Sequence, residues 1–319
     1  MNYFPTSPLQ AATYSDAAFA GGCTDLMPLF KNQVRDDPNL VFLSQIPALG
    51  DIREDGDRIS VGAAAILTDI AESALILSRL PALAQAAAAV ASLQIRNIAT
   101  VGGNIMQDRR CIYFNQSAGW RSALPTCFKT GGGMCHQIPN SPVCRAIYYS
   151  DVATALLTYD AHVEYLENGA LQSAPLQELL HRHCQANGLA CRNHLKILIT
   201  RFLIDQPPRG ERSGFYKYAM RTSIDFPLIN FALRCGGSRP PKLVSGAVAP
   251  EPVVLEKTAM LLKSSMADDE ILAACQAELK SLAMPIVEAC ISPVRKRDLY
   301  VQLFPLLSLR KKQPETSEP

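Results

Sequence analysis

The sequence has no apolar run of about 18 residues, the length a membrane-spanning helix needs, and the Ala-rich stretch from Ala82 to Ala91 is too short to serve. No twin-arginine or lysine-rich start leads into an apolar segment, so no signal peptide is expected. The net charge of +2 lacks the basic surplus of a nucleic-acid binder. A G-x-G-x-x-G after a strand is missing, and so is a G-x-x-x-x-G-K-[ST] loop, which removes the standard Rossmann and mononucleotide phosphate sites. What remains is a soluble, cytoplasmic protein with no nucleic-acid or membrane partner.

The residues present argue for a folded chain with metal chemistry. Hydrophobic residues make up 48% of 319 residues, enough for two or three modest domains. There are ten cysteines, and clustered thiols in a reducing compartment more often hold metal than form disulfides. Six are scattered and read as small core residues: Cys23, Cys184, Cys191, Cys235, Cys275 and Cys290. The other four, Cys111, Cys127, Cys135 and Cys144, share one window with the spacing C-x15-C-x7-C-x8-C. Zinc fingers and ribbons usually present close C-x2–4-C pairs, and this window has none. Widely spaced thiolates on a loop can wrap an iron–sulfur cubane. On residue chemistry alone, a cluster, a zinc ion and incidental or redox thiols all stay open. His136 reads as a solvated loop histidine or an alternative ligand.

Local patterns give a mixed α and β chain. Strands are expected at Val41–Leu43, Arg58–Gly62 and His162–Leu166, and a turn at Asp55-Gly56. Helices are expected from Thr68, with that residue as N-cap, over Pro81–Leu93, and over Asp151–Leu157. The glycine-rich Ile98–Asn104 reads as a loop, as does the cysteine window with its Gly131-Gly132-Gly133 and prolines. Asp205–Gly210 is the main boundary. Beyond it, Phe215–Met220, Leu228–Leu233 and Lys242–Val248 read as strands or short helices. Helical patterns follow near 251–264, 268–282 and 293–309.

Two glycine pairs, Gly21-Gly22 and Gly102-Gly103, supply the second chemical signal. Glycine lets backbone amides approach a phosphate closely, and two such loops can grip a dinucleotide pyrophosphate from both sides. Thr24 and Asn104 add hydrogen-bonding side chains.

In order along the chain these pieces resemble a known family. The segments Ala20-Gly21-Gly22-Cys23-Thr24-Asp25-Leu26, Gln94 to Asn104 and Ser150-Asp151 are similar to the FAD-binding medium subunits of the xanthine oxidase family, a molybdenum hydroxylase family that includes the flavoprotein of carbon monoxide dehydrogenase. Tyr216 to Arg221, Asp225-Phe226-Pro227, Ser245 to Pro250 and Pro285-Ile286 agree with it. The cysteine window resembles, in position and spacing, the 4Fe–4S insertion of the 4-hydroxybenzoyl-CoA reductase β subunit. Cys23 departs from the pattern, standing where the family commonly has glycine.

The resemblance implies an α+β fold: a two-subdomain FAD-binding domain of the vanillyl-alcohol-oxidase (PCMH) type, followed by a smaller α+β C-terminal domain. The boundaries are 1–55, then 56–206 with the iron–sulfur insertion at about 109–145, then 211–312, and a disordered tail at 313–319. It implies FAD held by Ala20, Gly21, Gly22, Cys23, Thr24, Asp25, Leu26, Gly102, Gly103 and Asn104. Thr100 and Asp151 would lie at the ribityl or phosphate region and Lys217 near the isoalloxazine. It implies a 4Fe–4S cluster on Cys111, Cys127, Cys135 and Cys144. It also implies no catalytic residues of the chain's own. The partners would be a molybdenum-cofactor large subunit and a 2Fe–2S small subunit in a dimer of heterotrimers. Electrons would come from ferredoxin or a similar donor, for reductive dehydroxylation of 4-hydroxybenzoyl-CoA or a related thioester. The alternatives are the flavin subunit of an aldehyde or N-heterocycle hydroxylase, and a zinc-stapled, non-enzymatic binding protein.

Overall fold

The computed structural model describes residues 1–14, 16–188, 195–263, 265–288 and 290–311. Cys191 and the 313–319 tail lie outside the described residues. Short strands β1 (Asn2–Tyr3), β2 (Ala18–Ala20) and β3 (Leu40–Phe42) pair in parallel in the order β1-β3-β2. Val41 of β3 and the following Leu43 pack with Leu166 and Leu198 of the next sheet.

That second sheet is antiparallel and comprises β4 (Ile52–Asp55), β5 (Arg58–Gly62), β6 (His162–Glu167), β7 (Ala170–Pro175) and β8 (Ile197–Asp205), in the order β4-β5-β8-β6-β7. The β6–β7 turn is Asn168-Gly169, with φ of 52° and 78°, the left-handed pair that a two-residue hairpin of this twist needs. A third antiparallel sheet follows, β9 (Arg212–Tyr218), β10 (Ile229–Cys235), β11 (Lys242–Gly246) and β12 (Val253–Val254), in the order β12-β11-β10-β9.

The Asp151–Thr158 helix is buried along its whole length. Ser150 caps it, accepting from Ala153 N at 2.9 Å. Strand β10 is buried on both faces. Ile229, Phe231, Leu233 and Cys235 face the C-terminal core with Ile271, Cys275 and Leu279. Asn230 and Ala232 turn the other way, and Thr154 and Thr158 of the buried helix bond Asn230 Oδ1 and the Ala232 carbonyl. No described helix is long and apolar enough to cross a membrane.

Several sequence expectations change. The glycine-rich Ile98–Asn104 segment is not all loop: Val101–Ile105 forms a helical turn capped by Thr100, whose Oγ1 accepts from Gly103 N at 3.1 Å. Glycine in a helix costs about 1 kcal/mol against alanine, but at Gly102 a Cβ would lie 2.8 Å from the Ala63 carbonyl oxygen, so close packing requires it. Thr68 is not an N-cap. The Leu67–Glu72 helix starts a residue earlier, and the Thr68 hydroxyl donates to Asn97 Oδ1 instead. The Pro81 helix ends at Ala88, and after Ala91, at φ 45°, a separate turn spans Leu93–Arg96. The pattern near 251–264 yields only Glu256–Leu261 as helix. The last helical pattern breaks into Pro293–Arg297, a 3-10 segment and Phe304–Lys311.

Candidate functional site

Phosphate recognition by a loop depends on amides that the protein itself does not use. The two glycine segments differ in this respect. In the second, the amides of Val101, Gly102, Gly103 and Asn104 are all taken, by Ala65 O, Ala63 O, Thr100 Oγ1 and Thr100 O. In the first, between β2 and the Leu26–Lys31 helix, the amides of Gly22, Cys23, Thr24 and Asp25 find no acceptor among the described residues. The four residues are half-buried. The first loop therefore offers donors, and the second offers a wall.

The two meet closely. A Cβ on Gly22 would lie 1.8 Å from the Ile98 carbonyl oxygen, and one on Gly21 would lie 2.5 Å from Thr100 Oγ1. Between them runs a cleft of about 400 Å³, within the usual range for ligand pockets. Ala20, Gly21, Gly22, Cys23, Thr24, Asp25, Leu26, Thr100, Gly103 and Asn104 all line it. Cys23 sits at φ 57°, in the left-handed region that favours glycine. Burial pushes its thiol up.

Three predicted residues do not reach the cleft. Gly102 faces Ala63. Asp151 is buried behind it, accepting from Asn230 Nδ2 at 2.6 Å and pairing with Lys217 Nζ at 2.9 Å. Burial raises the Asp151 carboxyl above its usual range, and the Lys217 ammonium opposes that rise. Lys217 also donates to the Ala89 carbonyl at 2.8 Å, one residue before Val90 and Ala91 of the lining. Ser150 completes the chain from wall to pair, bonding Asn104 Oδ1 at 2.5 Å. Asp151 and Lys217 thus support the cleft from behind.

Other lining residues escaped the sequence reading. Arg110 ion-pairs with Asp25, and its guanidinium lies 4.7 Å from the ring centroid of the exposed Phe226. Arg110 Nε is buried with no hydrogen-bond partner among the described residues. The Asp108 amide donates to Asp25 Oδ2 at 3.2 Å. Arg110 and Phe226 also line a second cavity of about 310 Å³, which contains Cys111. The charged arginine beside the first cysteine was the available signal. Free amides, a glycine-tight cradle and an unsatisfied guanidinium nitrogen fit the pyrophosphate of FAD.

The cysteine window carries little regular structure, one helical turn at Ala118–Arg121 and a 3-10 turn at Phe128–Thr130. Cys111 and Cys127 are half-buried, and Cys135 and Cys144 are buried. A backbone bridge sets Cys127 beside Met134, the neighbour of Cys135. Three sulfurs already have protein donors: Gln137 Nε2 to Cys111 at 3.5 Å, Thr130 Oγ1 to Cys127 at 3.6 Å and Ala146 N to Cys144 at 3.4 Å. Among the described residues no three His, Cys, Asp or Glu side chains are placed to hold one metal ion. Four cysteine sulfurs, three of them receiving hydrogen bonds, are a donor set of the kind an iron–sulfur cluster takes. His136 bonds the Pro125 carbonyl at 2.7 Å.

Residues 7–203 match the family model described as the FAD binding domain in molybdopterin dehydrogenase. The chain is 28% identical over 264 residues to the xanthine dehydrogenase FAD-binding subunit of Escherichia coli O157:H7, covering 76% of this chain and 74% of that one. It is 28% identical over 255 residues to the aldehyde oxidoreductase FAD-binding subunit of Escherichia coli K12, covering 78% and 80%. A 91-residue stretch is 37% identical to the carbon monoxide dehydrogenase medium chain of Hydrogenophaga pseudoflava, spanning 28% of this chain and about a third, 32%, of that relative. The fold matches a chain of reconstituted CO dehydrogenase from Oligotropha carboxidovorans with a TM-score of 0.75 at 18% identity, over 98% of both chains.

Proposed function

The chain belongs to the family of FAD-binding domains in molybdopterin dehydrogenases, and we propose that it is the FAD- and 4Fe–4S-containing electron-transfer subunit of a hetero-oligomeric, cytoplasmic molybdenum enzyme. The observation that carries the flavin part is the run of amides without acceptors at Gly22–Asp25, facing a cleft walled by Thr100, Gly103 and Asn104. Bound there, FAD supplies two-electron redox chemistry. The chain's own residues bind and orient it: the loop amides and Arg110 take the pyrophosphate, and the Asp25–Arg110 pair fixes the loop. Asp151 and Lys217 hold the surrounding backbone.

The second cofactor rests on Cys111, Cys127, Cys135 and Cys144, with three sulfur hydrogen bonds in place. A 4Fe–4S cluster supplies one-electron transfer. Cys111 lies in a cavity that shares Arg110 and Phe226 with the flavin cleft, so the two cofactors would be neighbours. The partners are a molybdenum-cofactor large subunit and a 2Fe–2S small subunit. An added one-electron centre suits inward flow from a ferredoxin-like donor, as for reductive dehydroxylation of 4-hydroxybenzoyl-CoA or a related thioester. Similarity to the aldehyde oxidoreductase subunit favours a second reading, outward flow from an aldehyde or N-heterocycle.

The flavin assignment is tested with two neighbouring glycines. A side chain on Gly103 meets only Thr100 Oγ1, at 3.0 Å, and projects beside the cleft, whereas one on Gly102 strikes Ala63. Gly103→Val is expected to lower FAD content at least tenfold in folded protein, and Gly102→Val to lower stability first. Full flavin occupancy in folded Gly103→Val would remove the cleft as the FAD site.

A further inference from the structure

A cluster's potential depends on the charges buried around it, because each one-electron reduction adds a negative charge that the protein interior must stabilise. Two cations are buried at the cysteine window, Arg109 at 3% exposure and Lys129 at 1%. Lys129 stands in the Phe128–Thr130 turn that starts on Cys127 and whose Thr130 hydroxyl donates to the Cys127 sulfur. Its ammonium lies 4.4 Å from the Phe114 ring centroid and donates to Asn187 Oδ1 at 2.8 Å. The Arg109 amide donates to the same oxygen at 2.7 Å. The Arg109 guanidinium holds the Ala146 carbonyl, and the Ala146 amide donates to the Cys144 sulfur. Burial pushes the Cys144 thiol up, and Arg109 and Lys129 are the charges that pull it back.

Burying an ammonium and a guanidinium costs several kcal/mol unless they meet compensating partners, and one buried carboxylate, Asp108, is tied into the same group by Asn187 Nδ2. A solvated loop has no need of either. An anionic cluster that must accept a further electron does. Neither residue is a cysteine ligand or a flavin contact, so the flavin cleft does not account for them.

We infer that Lys129 and Arg109 are positioning residues for the cluster, their buried charges raising its reduction potential so that it accepts an electron from a low-potential donor. Asn187, at the end of the Leu176–Asn187 helix, sets them by receiving both the Lys129 ammonium and the Arg109 amide. The inference rests on the 4Fe–4S reading above, and one measurement on the unaltered protein separates the two. Iron and sulfide analysis with EPR of the anaerobically purified, dithionite-reduced chain comes first. Absence of about four irons per chain would sink the cluster reading itself, and the inference with it.

With the cluster present, a dye-mediated redox titration followed by EPR reads the potential of Lys129→Met and Lys129→Arg, with FAD content as the check of folding. Lys129→Met is expected to lower the equilibrium constant for cluster reduction by about tenfold or more, about 59 mV for a one-electron couple. Lys129→Arg is expected to stay near the unaltered value, because it keeps the charge. Should Lys129→Met lose its flavin, Lys129→Gln carries the same test while retaining a donor for Asn187. If both neutral variants fail to hold iron while Lys129→Arg holds it, the buried charge is needed even to assemble the site, which supports the inference. A neutral variant with an unchanged potential, or an arginine variant shifted as far as the methionine one, would overturn it.

Discussion

Cys23 shows what a single backbone angle can decide. The position has φ 57° and sits in the middle of the run of free amides. A non-glycine residue in this region carries a strain of roughly 1–2 kcal/mol, and glycine gives part of the relief back as unfolded-state entropy. Cys23→Gly is therefore expected to stabilise the chain by about 0.5–1 kcal/mol and to leave FAD binding intact, as read from denaturant melts and flavin absorbance. A destabilised Cys23→Gly protein would mean that the thiol, whose Sγ lies 3.9 Å from Gly21 O, holds the loop closed. The sequence marked this position as unusual, but only the dihedral angle explains why glycine is the common choice there.

Among the elements, the Leu176–Asn187 helix links several parts of the site. His183 is fully enclosed, and its Nε2–H donates to the carbonyl of Gln107, a residue of the cleft lining. Around it stand Tyr148, Asp108, Arg109 and Lys129. Burial is the main cause that holds its pKa below the usual 6.5. On acidification through that value the unfolded chain takes up a proton that the folded chain refuses, so stability falls as pH drops. Melting temperature is expected to decline below about pH 6.5, the unperturbed histidine value, and His183→Gln is expected to flatten that decline. Equal slopes for the two proteins would assign the acid sensitivity elsewhere. The buried helix and some of the strands were legible in the sequence because their apolar periodicity is local: β5 spans Arg58–Gly62 as expected and the helix gains one residue, Thr158, whereas β7 and β8 were not read. The Val101–Ile105 turn was not legible. Its glycines argue against a helix, and the Ala63 contact that requires one of them comes from a different element. The same holds for the site. Motif order found the loop residues of the cleft, but Arg110, Phe226, Lys129, Arg109 and Asn187 are brought in by tertiary contacts that no spacing records.

At the scale of the whole molecule, the cleft takes its lining from separate regions: Gly21–Asp25 beside the first sheet, Thr100, Gly103 and Asn104 beside the second, and Phe226 just before β10 of the third. A ligand bound there couples all three. At a thousandfold excess over its Kd it adds about 4 kcal/mol to the folded state, and chains of a few hundred residues gain roughly 2–4 °C per kcal/mol. Removal of FAD is expected to lower the melting temperature by on the order of 10 °C, in one transition seen alike by tyrosine fluorescence and far-UV circular dichroism. Identical melting of flavin-free and flavin-loaded protein would contradict this coupling. The clasp between Gln137 and Val287 links equally distant parts, for each residue both donates to and accepts from the other at 2.9 Å across 150 positions. During synthesis at about 5–20 residues per second, the ribosome releases Val287 roughly 8–30 s after Gln137. For that interval the segment bearing Cys111, Cys127, Cys135 and Cys144 is held only by its earlier partners, Asp25 and Asn187 among them, and the Gln137 side of it waits for its clasp.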